Sequence, residues 1–144
     1  VIAAVHALTG AALGRLLGNR GRAMLAGAAS HVIADLLPHR DLDLPQEAAL
    51  LAGALAFVVG ARGANSPEFV GALAAAAPDL ENLLARAGAL PEERLLLPTH
   101  NRLHGPETKG FGLQLALAAA SVALLVAAPP ADCAPGRGCG NTLR

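Results

Sequence analysis

The chain has 144 residues, enough for one domain with a buried core. Its hydrophobic content of 53% is mostly Ala, Leu and Val, with three Phe and no Trp or Tyr, and the 15% of charged residues balance to a formal net charge of zero. That balance excludes the basic stripe with which nucleic-acid binders neutralise phosphates. Low charge and a mean hydropathy of +0.46 instead point to a helical protein in or at a membrane.

Residues 2–18 read as a first helix, on which His6, Gly10, Gly14 and Gly18 recur every four residues and so share one stripe. Small residues at that spacing let a second helix approach closely. Asn19-Arg20-Gly21 is a turn, with Arg15, Arg20 and Arg22 clustered around it, which the positive-inside rule places in the cytoplasm. A second helix over Arg22–Leu37 carries Gly27, His31 and Asp35 on one stripe, and Pro38 ends it. After a polar loop over 38–46, a third helix spans about 46–62; its apolar run Ala48–Ala61 is short for a membrane span. Ser66 as N-cap and Pro67 at the first helical position open a fourth helix, predicted to end at Ala77, just before Pro78 and Asp79, with a short amphipathic piece over 80–87. His100 and His104 follow, again four apart. Residues 111–128, uncharged throughout, are the expected membrane span. The tail 129–144 is Pro/Gly-rich and is expected to be disordered; the spacing of Cys133 and Cys139 within it matches no standard zinc or redox motif. The expected fold is therefore all-α: an up-and-down bundle of about five helices over residues 1–128, embedded in or associated with a membrane.

In such a bundle the five histidines sort to one end. His6 starts helix 1, while His31 and Asp35, with His39 just beyond, finish helix 2. Asp79 follows helix 4, and His100 and His104 precede the last helix. Carboxylates would crowd there too, Asp35, Asp41, Asp43, Asp79 and Glu81, with Arg40 as the adjacent cation. Carboxylates gathered in a desolvated pocket repel one another unless a cation compensates, and a divalent metal would do so. Seven ligands, His6, His31, Asp35, His39, Asp79, His100 and His104, suffice for two ions, most simply zinc, with Mn or Fe also compatible with mixed His/carboxylate ligation. A third ion would need Asp41, Asp43 or Glu81.

With these residues located, the pattern resembles the bacterial membrane-bound metal-dependent hydrolase family. The blocks that carry the resemblance are the early His6, Ser30-His31-x3-Asp35-x2-Pro38-His39, Pro78-Asp79-Leu80-Glu81 and Thr99-His100-x3-His104-Gly105. Two features depart from it: the order of the blocks differs from the familiar one, and Glu81-Asn82 stands where an Asp-His pair is common, which removes a ligand that a third ion would use. The family is thought to be related to zinc-dependent phospholipase C and the P1-type nucleases, all-α enzymes that cleave phosphoesters with clustered zinc. The resemblance thus implies an inner-membrane hydrolase cleaving a phosphoester, lipid or small molecule, through a metal-activated water. Asp41 or Glu81 would act as general base, and Arg40 or Arg102 would bind the phosphate. Two other classes stay open: a non-catalytic membrane protein that binds or moves divalent metal, and a haem protein, against which the recurring Asp beside His argues.

Overall fold

The computed structural model describes residues 1–91, 94–96 and 105–127. Within them the chain is all-α, with five helices: α1 (Ala3–Leu17), α2 (Arg20–Asp35), α3 (Leu44–Arg62), α4 (Pro67–Arg86) and α5 (Gly112–Ala127). They run up and down, each reversing the direction of the last. Ala3 at the start of α1 touches Glu47 at the start of α3, whereas Arg15 at its end pairs with Glu68 at the start of α4.

Local chemistry sets most of the boundaries. α1 stops at Gly18, whose left-handed φ of 60° costs glycine nothing and whose N–H closes on the Gly14 carbonyl at 3.0 Å. Asn19 caps α2 by accepting from the Arg22 N–H at 3.1 Å, and Ser66 Oγ caps α4 by accepting from the Phe69 N–H at 3.0 Å. The start of α1 has no cap of its own. Its free N–H groups are met by other helices: Ile2 N–H donates to Gln114 Oε1 of α5 at 2.7 Å, and Ala3 N–H donates to Glu47 Oε2 of α3 at 3.1 Å.

The expected end of the fourth helix at Ala77 is corrected: α4 runs through Pro78 to Arg86, so Asp79 lies inside a helix and the amphipathic piece over 80–87 is its last part. Proline removes one helical hydrogen bond, a cost of about 3 kcal/mol. Apolar burial of Pro78 and Leu83 against the rest of the bundle offsets it. The second helix also ends two residues earlier than expected, at Asp35, leaving Leu36 and Leu37 in the exit turn.

The core is built from small side chains. Ala7 and Ala11 of α1, Ala23 of α2, and Ala72 and Ala75 of α4 are fully buried. α1, in the middle of the bundle, is buried on nearly every side. Because the contact residues are Gly and Ala, backbones approach until carbonyls touch Cα atoms. A Cβ built on Gly10 would lie 2.2 Å from the Gly71 carbonyl oxygen, and one on Gly27 would lie 2.4 Å from the same oxygen. The stripe of small residues on the first helix is therefore a helix-packing seam, with α4 as its partner.

Large apolar side chains face outward instead: Leu25 on α2 is 69% exposed, Ile33 64%, and Leu115 on α5 66%. The expected span over 111–128 is helical over its described residues Gly112–Ala127. Among the described residues the helix long and apolar enough to cross a membrane is α3, at 19 residues, whereas α5 has 16. The third helix, expected from about residue 46, begins two residues earlier, at Leu44, with Pro45 in its first turn.

Candidate metal centre

Three helices carry the same device. On α1 the stripe is His6, Gly10, Gly14; on α2 it is Gly27, His31, Asp35; on α4 it is Gly71, Ala75, Asp79. In each, small residues hold the helix against its neighbours and a polar side chain lies one or two turns away on the same face. Packing at Gly10, Gly27 and Gly71 consequently carries His6, His31, Asp35 and Asp79 into one buried cluster, none of them more than 5% exposed.

Asp35 is its hub. His6 Nε2 lies 2.9 Å from Asp35 Oδ1, and the backbone nitrogen of Val1 lies 2.9 Å from the same oxygen. His31 Nε2 lies 3.2 Å from Asp35 Oδ2. Asp79 Oδ2 stands 3.8 Å from His6 Nε2 and 3.8 Å from His31 Nδ1. The two imidazoles overlap, with centroids 4.3 Å apart. Burial pushes His6 down to about 4, against the upward pull of its hydrogen bond to Asp35, so the ring is held neutral, the form that ligates metals.

His31 defines the chemistry of the cluster. Its Nδ1 donates to the main-chain carbonyl of Ala75 at 2.9 Å, an arrangement typical of metal-ligating histidines. The other ring nitrogen, Nε2, faces a carboxylate oxygen of Asp35. Among the described residues neither His31 Nε2 nor His6 Nδ1 has a hydrogen-bond partner. Ligand atoms of His6, His31 and Asp79 lie within 4.8 Å of one another. Ligands on one tetrahedral zinc stand about 3.4 Å apart, so modest side-chain shifts would close the set on an ion. Two imidazoles and two carboxylates are a donor set that fits Zn, Mn or Fe.

The remaining candidates are placed differently. His39 is buried beyond α2, its Nδ1 donating to the Leu37 carbonyl at 2.8 Å and its Nε2 3.5 Å from Asp41 Oδ1. It is held by the segment leading to α5: its N–H donates to the Pro106 carbonyl at 3.2 Å and its carbonyl accepts from Thr108 N–H at 2.9 Å. Gly105 N–H donates to the Asp35 carbonyl at 2.7 Å, and a Cβ there would lie 2.6 Å from the Leu37 oxygen, which only glycine avoids. Asp41 is 43% exposed at its side chain and, with Asp79, Glu47 and Arg86, lines a small cavity of about 20 Å³, room for roughly one water. Glu81 is half-buried and accepts from the Leu96 N–H at 3.1 Å. Arg40 is exposed, stacked 5.1 Å over the Phe111 ring and donating to the Lys109 carbonyl at 3.2 Å, which ties it to the entry of α5. His100, Arg102 and His104 lie outside the described residues, as do Cys133 and Cys139.

Sequence reasoning missed the Ala75 carbonyl, because a main-chain acceptor has no residue signature. It also missed Gln114, which caps α1 and donates to the Arg40 carbonyl at 2.9 Å. The signal was present, since Gln114 is a polar residue early in an otherwise apolar run.

No family model, curated protein or solved structure matches this chain.

Proposed function

We propose that this protein is a metal-dependent hydrolase associated with a membrane, acting on a phosphoester. The observation behind it is the orientation of His31, whose Nδ1–H is anchored on Ala75 while Nε2 faces Asp35 inside a buried cluster of two histidines and two aspartates. His6, His31, Asp35 and Asp79 would hold the ion, two carboxylates balancing its charge. A divalent ion held there supplies Lewis acidity and lowers the pKa of a water towards neutrality. The Ala75 carbonyl fixes the tautomer of His31, and Asp35, reaching both histidines, sets the angle between them. Asp41, which lines the small cavity together with Asp79, would accept the proton. The phosphoester substrate comes from the resemblance of the sequence blocks. Membrane association is supported by the span-length α3 and by the apolar side chains exposed on α2 and α5.

One observation favours a second reading. The cluster is almost wholly buried, whereas a catalytic metal keeps a position open to substrate. The same residues would then hold metal without turnover. Metal analysis of the purified protein, with hydrolysis of a generic phosphodiester before and after chelation, tests both. Stoichiometric metal with chelator-sensitive turnover supports the hydrolase, metal without turnover supports the holder, and absence of metal after reconstitution overturns both.

A further inference from the structure

The last two turns of α4 present two adjoining faces of opposite chemistry. Asp79, Asn82, Leu83 and Arg86 line the small cavity beside the His/Asp cluster, whereas Leu80, Leu83, Leu84 and Ala87 line a second, larger space. α3 divides in the same way, with Glu47 on the first and Leu44, Ala48, Leu51, Ala52 and Leu55 on the second. The second space is a groove of about 490 Å³ between α3 and α4, within the roughly 300–1,000 Å³ range of small-molecule pockets. All ten described residues that line it are apolar, and it meets the small cavity at Leu83, which belongs to both. A polar pocket beside an apolar trough matches an amphiphile.

The shape of the groove selects the apolar part of that partner. Along α3 it runs from Leu44 to Leu55, about 16 Å at helical rise. Its volume spread over that length gives a mean cross-section of roughly 30 Å², about 6 Å across. A helix with its side chains is about 10–12 Å wide, so neither a partner helix nor a second copy of this chain seats in it. No aromatic side chain lines it to stack on a ring. An aliphatic chain is thin enough, and it would cover Leu80 and Leu84, which are 43% and 42% exposed. Charge places the other end of the molecule. Arg86, exposed in the last turn of α4, is the one cationic side chain among the described residues lining the small cavity. Of the carboxylates there, Glu47 accepts from the Ala3 and Leu42 N–H groups, and Asp79 and Asp41 have the ligand and base roles proposed above. A guanidinium pairs with phosphate oxygens two at a time.

We propose that the α3–α4 groove holds one acyl chain of a phospholipid whose phosphate lies by Arg86, at the mouth of the small cavity. This rests on the hydrolase reading above and names its substrate class, an amphiphilic phosphodiester. α3, one wall of the groove, is also the helix long enough to cross a membrane, so its exposed side would meet lipid directly. Hydrolysis forms one bond from a water oxygen to phosphorus and breaks the bond from phosphorus to the leaving oxygen. The water's proton passes to Asp41, and the leaving group departs as the anion.

The test uses the full chain in digitonin, a detergent without an alkyl chain, and two probes that share a head, para-nitrophenyl methyl phosphate and para-nitrophenyl decyl phosphate. Release of nitrophenolate should show a higher kcat/KM for the decyl ester. Ala52→Phe fills the groove and should lower the decyl-to-methyl ratio about tenfold, which corresponds to roughly two methylene groups left unburied. Ala49→Phe, exposed on α3 but outside the groove, should leave the ratio unchanged. If Ala52→Phe does not fold, Ala48→Phe, one turn away on the same wall, takes its place. A second measurement needs no turnover: decyl phosphate should raise the thermal unfolding midpoint, methyl phosphate should not, and Ala52→Phe should diminish the rise. Equal kcat/KM for the two esters, or an undiminished ratio in Ala52→Phe, overturns the groove proposal and leaves the hydrolase standing. If neither ester is cleaved, the hydrolase reading fails and the midpoints decide the groove. A decyl-specific rise that Ala52→Phe diminishes then supports it as a chain-binding site, and any other result overturns it.

Discussion

Gly10 of α1 and Gly71 of α4 face each other so closely that a methyl group on either would lie 2.2–2.3 Å from the other's carbonyl oxygen. Two turns further along α4, Asp79 meets His6, one turn back along α1, at 3.8 Å. The polar cluster exists because the seam between these helices has no side chains.

Gly71→Ala should therefore push α4 away from α1. Forcing a methyl into a backbone contact costs about 1–3 kcal/mol or more, which exceeds the roughly 1 kcal/mol that alanine gains over glycine in a helix. Thermal unfolding should show a lower midpoint, and bound metal should fall with it. Gly53→Ala is the control: nothing lies within 4 Å of a Cβ there, so the variant should be neutral or slightly stabilised.

Asp35→Asn keeps the shape of the hub and removes its charge. Metal content should fall by at least the 10–100-fold typical of changes around a metal site, and phosphodiesterase activity should fall with it. The helical circular-dichroism signal should be nearly unchanged. Asp43→Asn, at the N-cap of α3 where Asn serves as well as Asp, should match wild type. Full metal content in Asp35→Asn would sever the cluster from metal binding.

Gln114→Leu tests how the start of α1 is held. Gln114 is fully buried and satisfies the Ile2 N–H and the Arg40 carbonyl together. Leucine leaves both without those partners, at about 1–3 kcal/mol for each buried group. Gln114→Glu keeps the acceptor but loses the donor and sets a buried carboxylate against the Arg40 carbonyl, so its unfolding midpoint should also fall below wild type. Equal midpoints for all three proteins would show that these bonds contribute nothing net.

Membrane crossing by α3 is open to labelling. In a Cys133→Ser/Cys139→Ser background, single cysteines at Gln46 and Asn65, both exposed at the ends of α3, should react with an impermeant thiol reagent from opposite sides of a sealed vesicle. Reaction of both from the same side would place α3 on the surface of a peripheral bundle.

Composition and spacing alone carried the all-α class, the number of helices and their alternation. Alanine and leucine favour helix, the glycine turns punctuate it, and Asn19 and Ser66 cap it, all through contacts within a few residues. The four-residue repeats also placed His6 with Gly10, and His31 with Asp35, on single faces, because helical periodicity is a local property. Tertiary structure decided what no local rule could. α4 continues through Pro78 because its burial against α1 and α2 outweighs one lost hydrogen bond, and only that continuation carries Asp79 to the histidines as a helical side chain. The tautomer of His31 depends on a carbonyl 44 residues away, and the cap of α1 on Gln114, 112 residues from Ile2. Such pairings arise when backbones meet across a seam of glycines, and the sequence records the seam without naming its partner.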